Sequence, residues 1–494
     1  MIRKQCCGRF LIVAGVAASI VVWLTTSASA QPTQPAYRAD RILIMPKAGI
    51  NRTALNNFHL ARKGEVLRTF DGIGYLQILR VPKGETVPSL IAQYQQSGLV
   101  EFAEPDYIGQ IFSTTPNDPK YLDGTLWGLN NTGQNGGTAD ADIDAPEGWD
   151  VLTSASNIVV AVLDTGVRYT HEDLAANMWV NPNDGSHGWN VLAGNNDPSD
   201  DSGHGTLVAG VLGAVGNNGK GVTGVAWRVQ IMACKCFNSF GIGSISSVIT
   251  GMDYAKTNGA RIINASWGFT NSLALSNAVY SLRDSNIIIV AACGNSAADI
   301  DLNPTYPASY HFDNVVTVAS ITRSNTLATS SNFGANDVDL AAPGEGIYST
   351  FAANDNFYST QSGTSFAAPY VSGACALLMA QYPSDTPQEI ISRLLNSTDS
   401  LSSLAGKCRT GGCLNLRKAL RTIRVATIPT GSGEPFQLRV SGGLNRTCAV
   451  EATTNLISWS PVFTNTASTN GTFDFTDSQS TNWPQRFFRA TASP

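Results

Sequence analysis

Residues 160–166 read Val-Ala-Val-Leu-Asp-Thr-Gly. With Ile158 and Val159 in front, six apolar residues end abruptly on Asp164, Thr165 and Gly166. A run this short and this apolar reads as a strand buried on both faces. Its C-terminal end is where parallel sheets present ligand-handling groups, and a carboxylate stands there. Similar runs follow at residues 229–237, 261–265, 287–292 and 315–319. Helical periodicity fills the stretches between, at residues 205–214, 245–257 and 273–284. Buried strands alternating with helices predict an α/β fold, a mostly parallel sheet sandwiched by helices, from about residue 145 to 424.

Two more motifs belong with Asp164. Residues 201–210 (DSGHGTLVAG) put His204 at the opening of a helix after a glycine turn. Residues 362–369 (SGTSFAAP) put Ser365 at the start of an apolar helix that runs to about Tyr382. Taken singly, an Asp after a strand or a Ser before a helix is ordinarily a cap. Taken together they supply a chemistry. A serine hydroxyl is a poor nucleophile until a hydrogen-bonded base takes its proton. An imidazole titrates near neutral pH, and a carboxylate on its other nitrogen fixes the tautomer.

These motifs, with residues 287–296 (IIIVAACGNS), resemble the subtilases, the subtilisin-like serine peptidases, over about residues 140–424. The resemblance implies Ser365 as nucleophile, His204 as general base and then acid, and Asp164 as the group that orients the imidazole. It also implies that the Asn295 amide donates to the oxyanion beside the backbone N–H of Ser365. Many members carry a second histidine where this chain has Leu207, a helix position outside the proton relay. The family's two peptide-pairing edges fall on residues 240–244, with Gly241 and Gly243, and on Ser266, Trp267 and Gly268. The pocket for the residue before the scissile bond would be walled by residues 266–268 and 291–295, including Ala292 and Gly294. No wall residue is charged, which predicts a neutral or apolar preference. A structural Ca2+ is implied at Asp173 with the loop 216–226, through the Asn218 side chain and the carbonyls of Gly216, Lys220 and Val222. The acidic loop 195–201 (NNDPSDD) is read either as a second calcium site or as a hydrogen-bonded turn. The nucleophile lies in Gly-Thr-Ser-Phe-Ala rather than a G-x-S-x-G elbow, which disfavours a lipase-like hydrolase. A silent scaffold used for binding is the competing class, and it has no need of all four of Asp164, His204, Ser365 and Asn295. The expected activity is serine endopeptidase, hydrolysing polypeptide substrates through an acyl-enzyme.

The chain around this domain reads as a secreted zymogen. Residues 1–30 carry Arg3, Lys4 and Arg9, an apolar run from 10 to 24, and Ala28-Ser29-Ala30, the layout of a cleaved signal peptide. The run is shorter than the ~20 residues of a membrane span, so the mature form is expected to have none and to be extracellular. Residues 31–115 form an α+β pattern, strand-like at 41–45 and 74–81, helical at 87–96, with a final segment at 99–108. This segment resembles the family's propeptides, which implies an intramolecular inhibitor released by self-cleavage between about residues 111 and 118. Residues 116–424 make the peptidase domain, 425–435 a linker, and 436–494 a small all-β domain with strands at 436–440, 456–459, 473–475 and 487–489. Residues 31–115 hold nine Lys/Arg against seven Asp/Glu, and residues 116–424 sixteen against twenty-six, so the two parts could attract each other. A net charge of −5 with no long basic run argues against a nucleic-acid partner. Seven cysteines follow the signal. Cys408 and Cys413 flank a turn and are expected to form a local disulfide, while Cys293 and Cys375 read as buried thiols. A monomer is expected.

Overall fold

A computed structural model describes residues 37–108, 114–431, 434–479, 483 and 485–492. The expected signal peptide and leader lie outside the described residues, as do positions 109–113 at the expected self-cleavage segment. The chain divides into two units, residues 1–112 and 113–494.

The N-terminal unit is built from β1 (Tyr37–Pro46), α1 (Arg52–Ala61), β2 (Glu65–Phe70), β3 (Leu76–Arg80), α2 (Val87–Gln96) and β4 (Val100–Tyr107). Its antiparallel sheet runs β2-β3-β1-β4. Alternation along β1 sends Ile42 and Ile44 into a core with Leu55, Leu79, Leu90 and Tyr94. Helix α2 begins at Thr86, whose hydroxyl accepts from the Ser89 N–H, with Pro88 in the first turn. The sequence pattern did not announce α1 or β2. Their apolar residues are sparse among Arg, Asn and Thr.

His59 of α1 is buried in this core. Its Nδ1 lies 2.7 Å from the Tyr94 hydroxyl and its Nε2 lies 3.0 Å from Gln77 Oε1. An amide oxygen only accepts, so Nε2 carries the proton and Tyr94 donates to Nδ1. Burial holds the His59 pKa below its usual value, against the opposing pull of the Gln77 bond.

The second unit opens with two short helices, α3 (Pro119–Leu122) and α4 (Ala145–Trp149). Then come β5 (Ser154–Asp164), β6 (Gly188–Asn190), α5 (His204–Gly213), β7 (Arg228–Lys235), α6 (Ile245–Thr257), β8 (Ile262–Ala265), α7 (Leu273–Asp284), β9 (Ile288–Ala292) and β10 (Val315–Ile321). Strands β11 (Leu340–Pro343), β12 (Ile347–Thr350) and β13 (Tyr358–Gln361) precede the long α8 (Thr364–Gln381) and α9 (Pro387–Leu395). Short strands β14 (Asp399–Ser400) and β15 (Gly412–Cys413) and helix α10 (Leu416–Leu420) complete this part.

Nine strands form one sheet in the order β14-β15-β11-β10-β9-β8-β5-β7-β6. All its pairings are parallel except β14 with β15. The fold class is the expected one. The chain lays down β5 first, adds β7 on one flank and then crosses to add β8 on the other. Strand order reverses there, so a crevice opens beyond the C-terminal ends of β5, β7 and β8. Helix α8 is buried along nearly its whole length.

Residues 424–494 contribute β16 (Arg424–Ile428), β17 (Phe436–Ser441), β18 (Thr447–Thr453), β19 (Ser460–Thr466), β20 (Thr472–Asp477) and β21 (Phe487–Ala492). They make two sheets, β16-β17-β20 and β19-β18-β21. Part of the expected linker is therefore strand, with Arg424 to Ile428 paired to β17. Residues 456–459, expected as a strand, form a turn in which the Asn455 side chain accepts from the N–H groups of Ile457 and Ser458. The β sheets are fastened to the α/β part by Arg393 of α9. Its fully buried guanidinium pairs with Asp385 at 2.6 Å, donates to Ser441 Oγ at 2.7 Å and stacks 3.6 Å over Tyr382.

The expected disulfide is absent, and the seven described cysteines are all free and buried. Cys413 is held within β15 between β11 and β14, and Cys408 Sγ lies against the Gly412 carbonyl at 3.8 Å. Cys293 and Cys375 are the buried thiols expected, pushed up to about 12 by burial.

His59 yields a prediction with a definite sign. Its pKa is lower folded than unfolded, so its contribution is complete above about pH 6.5 and is lost as pH falls below that value. Hydrogen-exchange protection factors of the N-terminal unit, measured on the full chain, should fall between pH 7.5 and 5. The His59→Leu variant should lose this dependence; equal wild-type protection at both pH values contradicts the assignment.

Candidate active site

Asp164 is the last residue of β5, in register with Lys235 of β7. Its side chain is 3% exposed. Oδ1 accepts from the Thr165 N–H at 2.7 Å and lies 2.8 Å from His204 Nδ1. Oδ2 is buried and has no hydrogen-bond partner among the described residues. His204 opens α5 behind Gly203, whose φ is +100° and where a Cβ would stand 2.3 Å from the Phe351 ring. Next comes Gly205, where a Cβ would lie 2.1 Å from the Gly166 carbonyl and 3.1 Å from Asp164 Oδ1. Only glycine lets this helix begin in contact with the end of β5. A carboxylate on Nδ1 places the proton there and leaves Nε2 free to accept. Burial pulls the His204 pKa down, but the charge and hydrogen bond of Asp164, with the charge of Asp200, more than reverse it, and the net shift is upward.

Ser365 is the second residue of α8. Pro369 lies four positions on and has no N–H to give the Ser365 carbonyl. The Ser266 hydroxyl fills that gap, donating to the Ser365 carbonyl at 2.8 Å. In return the Ser365 hydroxyl donates to the Ser266 carbonyl at 3.2 Å, and no hydrogen bond to His204 is formed. The His204 ring packs against Phe366, the residue after the serine, with centroids 5.2 Å apart. A hydrogen bond from Ser365 to His204 would need the hydroxyl to turn away from the Ser266 carbonyl, and free enzymes often hold such contacts loosely.

The Asn295 side-chain oxygen accepts from both the N–H and the hydroxyl of Thr364, at 2.8 and 3.1 Å. This fixes the amide, whose Nδ2–H2 meets no acceptor among the described residues, beside the first turn of α8. The Ser365 N–H is among the first-turn groups that have no intrahelical partner. Two unclaimed donors at the positive end of a buried helix are suited to bind a developing anion.

A cleft of about 480 Å³ opens on the Asp164–His204 pair, lined by Asp164, Thr165, Ser202, His204, Phe237, Ser239, Phe240, Gly241, Ser266, Trp267 and Gly268, while Ser365 and Asn295 are not in its lining. Gly241, Ser266, Trp267 and Gly268, four of the expected substrate-binding residues, are in this lining. Gly243 is not in the lining; it forms an antiparallel bridge with Phe237. Ala292 is buried at the end of β9, and Gly294 donates to Thr364 Oγ1, so both stand beneath Asn295 rather than in this lining.

The expected calcium residues meet, though in another relation than the ligand set anticipated. Asp173 Oδ1 accepts from Asn218 Nδ2 at 2.9 Å. Its Oδ2 accepts from the Val222 N–H and the Tyr358 hydroxyl, each at 2.8 Å. Asn218 thus turns its nitrogen to Asp173 and its oxygen to the Lys220 N–H. The Gly216 carbonyl accepts from Arg228 at 3.2 Å, whereas those of Lys220 and Val222 accept no hydrogen bond among the described residues. A second buried carboxylate, Asp118, faces the same loop through the N–H groups of Asn217 and Asn218. Its pKa is raised, first by burial and further by the charge of Asp173. Among the described residues no group of three or more His, Cys, Asp or Glu side chains is arranged to hold a metal.

The loop 195–201 is a hydrogen-bonded turn. Asp197 accepts from Ser199, and Asp200 accepts from Thr165, Ser202, Gly203 and Thr206. Asp201 pairs at 2.5 Å with Lys235, whose buried ammonium also donates to the Thr165 carbonyl. Sequence reasoning missed Thr364, Asp118, Lys235 and the role of Asp200. Only Asp200 had a usable signal, an acid four residues before the histidine.

Fold and site together define a serine peptidase. Residues 155–418 match the subtilase family, and the chain belongs to it. Residues 24–106 match the fervidolysin N-terminal prodomain. Thermitase of Thermoactinomyces vulgaris is 33% identical over 308 residues, spanning 62% of this chain and 99% of thermitase. A thermophilic serine proteinase of Bacillus sp. (strain AK1) is 36% identical over 302 residues, 61% of this chain and 68% of that protein. Among solved structures, a protease from Pseudoalteromonas arctica superposes with a TM-score of 0.54 at 29% identity, covering 62% of this chain and 99% of its own.

For His204 to serve as a general base it must be neutral, so its raised pKa predicts an acid limb of kcat/KM above that of an unperturbed imidazole. Replacing Asp164 by Asn should move that limb down and reduce kcat by about 10⁴. A pH–rate profile unchanged in Asp164→Asn contradicts this reading.

Proposed function

We propose that the protein is a secreted serine endopeptidase, made as a zymogen, in which Asp164, His204 and Ser365 act as one relay. Ser365 Oγ attacks the scissile carbonyl carbon while its proton passes to His204 Nε2. The carbonyl oxygen becomes an anion between the Ser365 N–H and Asn295 Nδ2. Collapse expels the amine, which takes the proton from His204 and leaves an acyl-enzyme on Ser365. Water, deprotonated by the same imidazole, releases the acid. The observation that carries the reading is the 2.8 Å contact between buried Asp164 and half-buried His204, set at the reversal of strand order.

Substrate is read as an extended polypeptide lying along Gly241 and Gly243 on one side and Ser266 to Gly268 on the other. Phe237, Phe240 and Trp267 give the cleft an apolar character. This supports a neutral or apolar residue before the scissile bond, with Ala292 and Gly294 backing that pocket. The segment of residues 31–115 is assigned as the intramolecular inhibitor, cleaved from the peptidase domain of residues 116–424 near residues 111–118. Residues 1–30 are assigned as the export signal, followed by an extracellular life for the mature form. Among the described residues no helix is long and apolar enough to cross a membrane.

Calcium is assigned a structural role at Asp173. Two buried carboxylates, Asp118 and Asp173, face one loop, and Val222, 1% exposed, has a carbonyl without a donor among the described residues. Buried anions and unpaired carbonyls are both relieved by a hard cation. Asp118, Asp173, the Asn218 oxygen after an amide turn, and the carbonyls of Gly216, Lys220 and Val222 would hold it. Its contribution is charge neutralisation that fastens the loop; no catalytic step involves it.

Expression of Ser365→Ala should yield an uncut precursor, whereas wild type yields two fragments divided near residues 111–118. Identical processing of both contradicts self-cleavage. Chelation should lower the Tm of the purified protein by at least ~2 °C, restored by added Ca2+. An equal Tm in chelator and in calcium contradicts the metal assignment.

A further inference from the structure

We propose that Asp200 is a positioning residue for the peptidase reaction, one that holds the Asp164–His204 pair in register and adds a second negative charge to the field on the imidazole. The proposal rests on the peptidase reading above.

Asp200 is buried, four residues before His204. Its Oδ1 accepts from the Thr165 hydroxyl at 2.8 Å and from the N–H groups of Ser202 and Gly203 at 2.9 and 3.0 Å. Its Oδ2 accepts from the N–H and hydroxyl of Thr206 at 2.9 and 2.6 Å. All five donors are neutral, so the charge of Asp200 is spread over hydrogen bonds and not cancelled by a cation. Every donor also belongs to a segment that carries one member of the pair. Thr165 follows Asp164 and donates its N–H to that carboxylate. The Thr165 hydroxyl oxygen in turn accepts from the Gly205 N–H at 3.0 Å, immediately after His204. Ser202 and Gly203 form the turn before His204, and Thr206 lies in the first turn of α5. One carboxylate thereby ties the end of β5 to the turn and helix that present the imidazole.

The electrostatic half follows from the same placement. The charges facing His204 are Asp164 from β5 and Asp200 from the preceding loop; Ser365 and Phe366 of α8 bring none. Lys235 and Asp201 nearby are paired with each other. When Ser365 gives up its proton His204 becomes an imidazolium, and both anions favour that state over the neutral ring. Asp200 touches neither substrate nor the reacting atoms, so it acts only through the pair.

The test compares wild type with Asp200→Asn on one peptide substrate across pH. The expected result is a kcat reduced at least ~10-fold with KM little changed, and an acid limb of kcat/KM moved to lower pH. A merely structural residue would lower Tm and yield of folded protein without moving that limb; a kcat and limb equal to wild type, or a limb that stays put, overturns the proposal. The low-field proton on His204 Nδ1, titrated by NMR in Ser365→Ala with and without Asp200→Asn, reads the same coupling with no turnover. A wild type that cleaves no peptide would refute the peptidase reading, while this titration would still decide on Asp200. Thr165→Val covers an Asp200→Asn that fails to fold. It keeps the charge and cuts the bridge, so kcat should fall with the limb unmoved, and a wild-type kcat overturns the positioning role.

Discussion

The site depends on a carboxylate that has nowhere else to go. Asp164 ends β5, an interior strand of a nine-stranded sheet, with Leu163 and Val162 wholly buried just before it. A buried anion is costly unless it is hydrogen-bonded. One of its oxygens has no partner among the described residues, and the other is shared between a backbone N–H and His204. The imidazole is therefore held by a buried carboxylate with few other partners. That arrangement favours a protonated ring at the moment a proton arrives, which is what a general base requires of its surroundings.

The remaining parts answer a geometric problem, bringing two helix N-termini to the ends of two adjacent strands, α5 to β5 and α8 to β8. Glycine solves it for α5, at Gly203 and Gly205, where any side chain would collide with Phe351 or Gly166. Proline solves it for α8. By lacking an N–H, Pro369 frees the Ser365 carbonyl for the Ser266 hydroxyl and so joins the helix to the end of β8. Thr364 locks Asn295 from the other side. Packing, capping and the aim of the donors are thus set by the same few contacts.

Much of this was legible in the sequence because the signals were local. Apolar runs marked β5, β7, β8, β9 and β10 to within a few residues, and α6 and α7 were predicted over the observed spans. Asp164, His204, Ser365 and Asn295 each sit in a short motif at an element end. Features set by distant partners were not legible. Helix α1 and strand β2 become elements only by packing on β1 and β3, and β18 and β19 only by pairing with each other and with β21. The disulfide expectation failed because spacing around a turn says nothing of side-chain direction within β15. Asn218 and Val222 were found by position, but which atom each turns towards Asp173 depends on Tyr358, more than a hundred residues away.

The central claim is that folding makes one serine hydroxyl nucleophilic through one imidazole. Fluorophosphonate labelling of the folded, mature protein followed by peptide mass spectrometry tests it most directly. The account predicts one adduct per chain, on Ser365, abolished in His204→Ala while the fold persists. Folded protein that stays unlabelled, or that labels equally without His204, would contradict it.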